Sequence, residues 1–247
     1  MTAVLASLWR HPIKALGREE IENADLTTGQ TLPGDRVWAI AHERSKAEPG
    51  EWARCINFLR AASSPALMAV TAQLLADGQV ALSHPQRPDI CLHPERDATQ
   101  LIAWVRPLVA KGRPAPAAVL PAPRTRGFTD TSAPTVSLGN LASHRAVEQT
   151  IGRDLAIHRW RCNLWVAGFQ PWAERDWIGR TLRIGGAELH VENGIERCMA
   201  TTANPDTGEQ DADTLGALSQ FGHSDFTVAA RVTKPGHIAR QCEVQIL

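Results

Sequence analysis

The chain has 247 residues, enough for one large domain or two small ones with a buried core. Its 26 Lys plus Arg balance 26 Asp plus Glu, giving a net charge of +0; this argues against general nucleic-acid binding, which needs a basic footprint. Runs of about 18 apolar residues are absent. The short apolar run 3–9 has Arg10, His11 and Lys14 on the wrong side for a signal peptide, so no membrane contact and a cytoplasmic location are expected.

Residues 3–9 are apolar enough for a buried strand, broken by His11-Pro12. A second strand is expected at 37–41, entered from Pro33-Gly34-Asp35. Strands at 67–75 and 80–83 flank Asp77-Gly78, a hairpin signal because both residues tolerate positive φ. Residues 97–109 read as a helix, with Asp97 and Gln100 spaced as a capping box and Leu101, Trp104, Val105 and Leu108 on one face. Pro107 would kink or end it. Pro114, Pro116, Pro121 and Pro123 mark 111–126 as a linker. A strand at 135–138 then leads into a helix capped by Asn140 and closed by Gly152. Leu182 and Ile184, the turn Gly185-Gly186, and Ala187, Leu189 and Val191 spell a hairpin with one buried face. Further strands are expected at 163–167, 226–232 and 244–247. The pattern is mainly β with a few helices, an α+β chain whose strands suit a barrel or a strongly bent sheet.

Five cysteines stand far apart, and no Cys-x-x-Cys pair exists for a zinc ribbon or a thioredoxin motif. Cys198 follows Asn193-Gly194, read as a turn, and sits directly after Arg197. A neighbouring guanidinium favours thiolate, the form that attacks or ligates metal. A packed structural thiol is the competing reading. Arg159 and Arg161 would share one side of an extended segment and could clamp an anion; a solvated strand edge is the plainer alternative. Lys14 and Arg36 end strand-like runs, Glu174-Arg175-Asp176-Trp177 reads as a surface loop anchored by Trp177, and Asn204-Pro205-Asp206-Thr207-Gly208 is a turn by composition. The sequence holds no Gly-rich phosphate loop, dinucleotide fingerprint, Gly-x-Ser-x-Gly elbow or His-Glu-x-x-His pattern.

In order along the chain, Pro12-Ile13-Lys14, Asp35-Arg36, Arg159-x-Arg161-x-Asn163, Glu174-x-Asp176-Trp177, Arg197-Cys198-x-x-Thr201-Thr202 and Asn204-Pro205-Asp206-Thr207-Gly208 resemble the MOSC-domain proteins. The chain is similar to the mitochondrial amidoxime-reducing component and its bacterial relatives, over essentially its whole length. The resemblance implies an N-terminal β domain over 1–115 packed on a MOSC-type β-barrel domain over 116–247. It implies a molybdenum cofactor (Mo-molybdopterin) with Cys198 as the metal's protein ligand and catalytic residue. Lys14, Arg36, Arg159, Arg161, Asn163, Arg197 and Thr202 would be its contacts. Two departures stand out: Ala15 where the family often has Ser after the Lys, and Cys162 where it often has Pro. The implied activity is two-electron reduction of N-hydroxylated compounds such as hydroxylamines, amidoximes or N-hydroxylated bases. The cysteines lack the spacing of an iron–sulfur cluster, so a separate donor is expected, ferredoxin-like or cytochrome b5-like with its reductase. The alternative is a sulfur-transfer or cofactor-carrier protein that uses Cys198 without redox turnover.

Overall fold

The computed structural model describes residues 2–247. Its elements are β1 (Val4–Arg10), β2 (Glu19–Ile21), β3 (Asn23–Leu26), β4 (Trp38–His42), β5 (Thr71–Leu74), β6 (Val80–His84), β7 (Arg87–Leu92), α1 (Ala98–Val105), β8 (Pro116–Pro121), β9 (Val136–Asn140), α2 (Leu141–Ile151), β10 (Leu164–Ala167), β11 (Thr181–Ile184), β12 (Ala187–Glu196), α3 (Thr214–Gln220), β13 (Asp225–Lys234), β14 (Gly236–Ala239) and β15 (Val244–Ile246). The protein is mainly β, an α+β fold of two packed units.

The larger unit is a sheet of order β15-β11-β12-β13-β9-β10-β1-β2. Its ends meet: Val4 bridges Glu243, Leu5 N–H donates to Cys242 O at 2.9 Å, and Val244 N–H donates to Ala3 O at 2.9 Å. That contact closes the sheet into a barrel and leaves few unpaired edge groups. Alternation fills the interior, where Leu5, Leu8, Leu138, Val166, Leu189 and Val228 are fully buried in one core. β9 and β10 pair in parallel, so a crossover must join them; α2 is that crossover. Asn140 starts it, its side-chain oxygen accepting from Ala142 N–H, and Gly152 ends it at φ 82°.

The smaller unit combines the β4–β8 pair, the β5-β6-β7 sheet and α1 around Ile40, Val70, Leu82, Leu101 and Trp104. Here several expectations change. Residues 65–69 form a 3-10 turn, and only Thr71–Leu74 is strand. Asp97 precedes α1, but its carboxylate accepts from His93 N–H behind it and makes no capping bond. The proline-rich stretch is not all linker: Pro116–Pro121 pairs with β4, as an edge strand tolerates proline. In space, strands from the two sides of the sequence boundary at 115 and 116 are exchanged. β1 lies in the barrel, whereas β8 completes the smaller unit. Asn193 and Gly194 are no turn either; they lie inside the ten-residue β12, at bulges against β13.

The chain crosses between units just after β1. Ile13 bridges Trp38, and Lys14 N–H donates to Trp38 O at 2.7 Å. Arg18 ties the units together, donating to Pro205 O at 2.8 Å and to Asp206 at 2.9 Å in the expected turn.

Candidate functional site

A cavity of about 290 Å³ opens at this junction. Lys14, Ala15, Arg36 and residues 55 and 59–62 line it from the smaller unit; Asp130, Arg159, Arg161, Arg197 and Cys198 line it from the other side. Of the residues expected to bind, Lys14, Arg36, Arg159, Arg161, Asn163, Arg197 and Cys198 converge here. Thr202 does not line it; Thr201, one residue earlier, does. Thr202 is buried, accepting from Gln210 and donating to Met199 O.

Arg159 and Arg161 arrive by a route the sequence did not suggest. Residues 157–160 form a 3-10 turn and Arg161 is left-handed at φ 47°, so the two are not neighbours on one strand face. Arg159 donates to Asp211 at 2.6 Å and to Thr202 O at 3.1 Å, while its buried Nε–H has no partner. Arg161 turns the other way, towards Gly17 O at 3.2 Å and Leu16 O at 3.4 Å. Burial, then the nearby Arg36 charge, lowers it to about 9, so it remains a cation at neutral pH.

Arg36 is also left-handed, at φ 54°, as is Ala15 at φ 65°. Such backbones cost free energy in non-glycine residues and gather at sites that need them. Here they turn the Lys14, Arg36 and Arg161 segments toward one cavity. Arg36 donates to Asp35 and to Arg161 O at 2.9 Å. Beneath it, Asp35 accepts from His11 N–H at 2.8 Å and faces the His11 ring at 3.2 Å. Burial pushes the Asp35 carboxyl up, but Arg36 and the His11 bonds outweigh it and hold it well below the usual carboxylate range. Burial, then Arg161, drives His11 down to about 3, so its imidazole is neutral.

Lys14 is 6% exposed; its ammonium donates to Phe128 O at 2.8 Å and to Asp130. Arg197 spends three donors on the fold: Phe226 O at 2.7 Å, Trp160 O at 2.8 Å and the Thr227 hydroxyl. It braces the strand before Cys198 more than it reaches outward. Asn163 does the same between β9 and β1, accepting from the Ser137 hydroxyl at 2.9 Å and donating to Trp9 O at 3.1 Å.

Cys198 is exposed. Its carbonyl accepts from Thr201 N–H and hydroxyl at 3.1 Å each, which fixes the loop carrying the thiol. Cys162 is turned away. It is 2% exposed among Trp160, Trp165 and Phe226, outside the cavity lining, and burial pushes its thiol up to about 11. Glu174 is no surface residue: its carboxylate accepts from Ser143 at 2.7 Å and Asn140 at 3.1 Å, and burial raises it despite both bonds. Sequence reasoning missed Asp130 and Cys55 in the lining. Asp130 sits in a polar turn with no pattern to mark it, and Cys55 stands alone.

Fold and cavity together define a two-unit β protein with a cationic, thiol-bearing cleft at the unit junction. The MOSC domain model matches residues 125–245 and the MOSC N-terminal beta barrel domain model matches residues 2–118. The chain belongs to the MOSC family, whose domain is that of the molybdenum cofactor sulfurase C-terminus, and it carries the N-terminal barrel. No curated protein matches. Among solved structures, the YUAD protein from Bacillus subtilis superposes with a TM-score of 0.51 at 13% identity, over 100% of this chain and 96% of that one; this likeness concerns the fold. YiiM from Geobacillus stearothermophilus aligns at TM-score 0.35 and 17% identity over 45% of this chain and 53% of its own. YiiM from Escherichia coli aligns at TM-score 0.34 and 14% identity over the same shares.

Proposed function

We propose that this protein binds molybdenum cofactor in the junction cavity and reduces N-hydroxylated compounds there. The observation that carries the reading is the donor set: one exposed cysteine thiol beside five guanidiniums, Arg60 among them, and an ammonium, with a buried Arg159 Nε–H left without a partner. A buried N–H with no acceptor is costly, and it belongs to a guanidinium that lines the cavity. The volume is near the lower end for ligand pockets, which begin at about 300 Å³. The residues therefore fit a pterin phosphate carrying a soft metal.

Lys14, Arg36, Arg159 and Arg161 would hold the phosphate and offset its charge, since guanidinium forks match phosphate geometry. Cys198 would supply the protein's sulfur ligand, suited to a soft metal. When bound, the cofactor supplies the two-electron redox chemistry. The overall change is R–NH–OH plus two electrons and two protons, giving R–NH2 and water. The protein's share is to hold the cofactor, orient the thiol through the Thr201 bonds, and present the substrate at the open side near Cys198. Electrons would come from a separate protein, ferredoxin-like or cytochrome b5-like with its reductase, and the substrate is a small N-hydroxylated molecule.

The test is to purify the protein from a host that makes the cofactor and to quantify molybdenum and pterin per chain. Near-stoichiometric metal in wild type, lost in Cys198→Ala, together with hydroxylamine reduction from an artificial donor, is the expected result. Absence of metal in wild type would overturn the reading. Metal without reduction, or a persulfide label on Cys198, would favour a carrier or sulfur-transfer role instead.

A further inference from the structure

The cavity's cations already share a counter-ion of their own. Asp130 binds the Lys14 ammonium directly, yet its side chain is 77% exposed. Its charge also acts on Arg36, Arg161 and Arg197. Two of the neighbouring carboxylates are engaged elsewhere, whereas Glu196 also lines the cavity. Asp35 is buried between Arg36 and His11, and Asp211 pairs with Arg159 and Arg153.

The loop that carries Asp130 is anchored on both sides of it but not at it. Upstream, Gly127 N–H donates to the Thr31 hydroxyl at 2.9 Å and Phe128 N–H to Arg36 O at 2.8 Å. Phe128 is buried against Phe58 at 4.7 Å between ring centres. Gly127 is required here, because a Cβ would sit 2.1 Å from Asp35 O. Arg126 reaches across to Thr131 O at 2.8 Å, to Ser132 O and to the Thr129 hydroxyl at 2.8 Å, with its guanidinium 5.0 Å above the Trp52 ring. Between these fixed points the Asp130 side chain has Lys14 as its one hydrogen-bond partner among the described residues.

We propose that Asp130 is a placeholder anion: in the ligand-free protein its carboxylate takes the position that the cavity offers to an oxyanion, and a ligand enters by displacing it. The geometry then sets the class of ligand. A monoanion that displaces Asp130 exchanges one negative charge for another and gains little. A dianion such as a phosphate monoester gains a full charge opposite Lys14, Arg36 and Arg161. Asp130 would thus set a threshold that admits phosphate and rejects carboxylates, and because its side chain already faces solvent, moving aside costs it little desolvation.

The inference rests on the reading of this cavity as the holder of a phosphate, and inorganic phosphate on the empty protein tests it without metal. Wild type, Asp130→Asn and the Lys14→Met/Asp130→Asn double variant are titrated by calorimetry with phosphate and with acetate at low salt, after far-UV spectra and melting curves establish that each is folded. Asp130→Asn should bind phosphate about tenfold or more tightly than wild type, since the competing charge-assisted bond is gone. It should also bind acetate measurably, and the double variant should lose both gains. Equal or weaker phosphate binding in Asp130→Asn would overturn the proposal, as would no phosphate binding by any of the three. If Asp130→Asn gains phosphate affinity but wild type never acquires molybdenum, the placeholder stands and the cofactor reading falls. If wild type loads metal and Asp130→Asn loses it with phosphate affinity unchanged, Asp130 is a direct cofactor contact and the placeholder falls.

Discussion

His11 gives the clearest quantitative consequence of the cavity's construction. Its ring is buried against Asp35 and driven from 6.5 to about 3, by burial first and by the Arg161 charge next. A base with a lowered folded value is neutral in the fold but takes a proton in the unfolded chain. Stability is therefore intact above 6.5 and falls as pH drops from there toward 3. Each pH unit in that window is worth 1.36 kcal/mol per group, so by pH 4 His11 alone removes about 3 kcal/mol. Asp35, held low, adds a loss of the same sign only below its unfolded value of 3.8. The measurement is urea unfolding of wild type and His11→Gln at pH 7, 6, 5 and 4. Gln keeps the His11 backbone N–H that Asp35 accepts but cannot titrate. The two proteins should differ in slope, the variant losing about 3 kcal/mol less between pH 7 and pH 4. Parallel curves would show that the ring is not held neutral, and the account of the cluster beneath Arg36 would fail.

Two more outcomes follow from the same contacts. Arg197→Ala leaves Phe226 O, Trp160 O and the Thr227 hydroxyl without a partner and should cost about 2–4 kcal/mol in denaturant unfolding; Arg197→Lys should not restore it, because one ammonium cannot reach three divergent acceptors. In a timed alkylation followed by mass mapping, the exposed Cys91 and Cys198 should label in the folded protein, whereas the buried Cys162 should label only after unfolding.

The hairpin β11–β12, the α2 helix with its Asn140 and Gly152 ends, and the first strand were legible because period and punctuation act locally. Barrel closure was not, since it joins Leu5 to Cys242 across the whole chain. The Asp97 cap failed because its carboxylate accepts from His93 N–H behind it, while Gln100 N–H donates to the Asp97 carbonyl. At the site, the ordered motifs named eight of the cavity's residues, seven of them expected as contacts and the eighth Thr201, and one that lies beside it, Thr202. What the motifs could not convey was direction. A strand pair is expected of Arg159 and Arg161, but a 3-10 turn and a left-handed residue give them different partners while both line the cavity. Asp130 was invisible because nothing local distinguishes a carboxylate in a polar turn from one that meets Lys14 across 116 positions of chain.

That failure of direction says how the site is built. Five of the six cavity cations give part of their donor set to the backbone: Lys14 to Phe128, Arg36 to Arg161, Arg159 to Thr202, Arg161 to Leu16 and Gly17, Arg197 to Phe226 and Trp160. These bonds cross between segments far apart in sequence, and Ala15, Arg36 and Arg161 accept left-handed backbones at the same place. Like charges brought this close repel, so the arrangement holds only where carbonyls and the carboxylates Asp35, Asp130 and Asp211 offset them. The cost is spread over both units, which means that the junction, and not either unit alone, stores the anion affinity. Loosening the Arg18 contacts to Pro205 and Asp206 should therefore weaken phosphate binding even though Arg18 does not line the cavity.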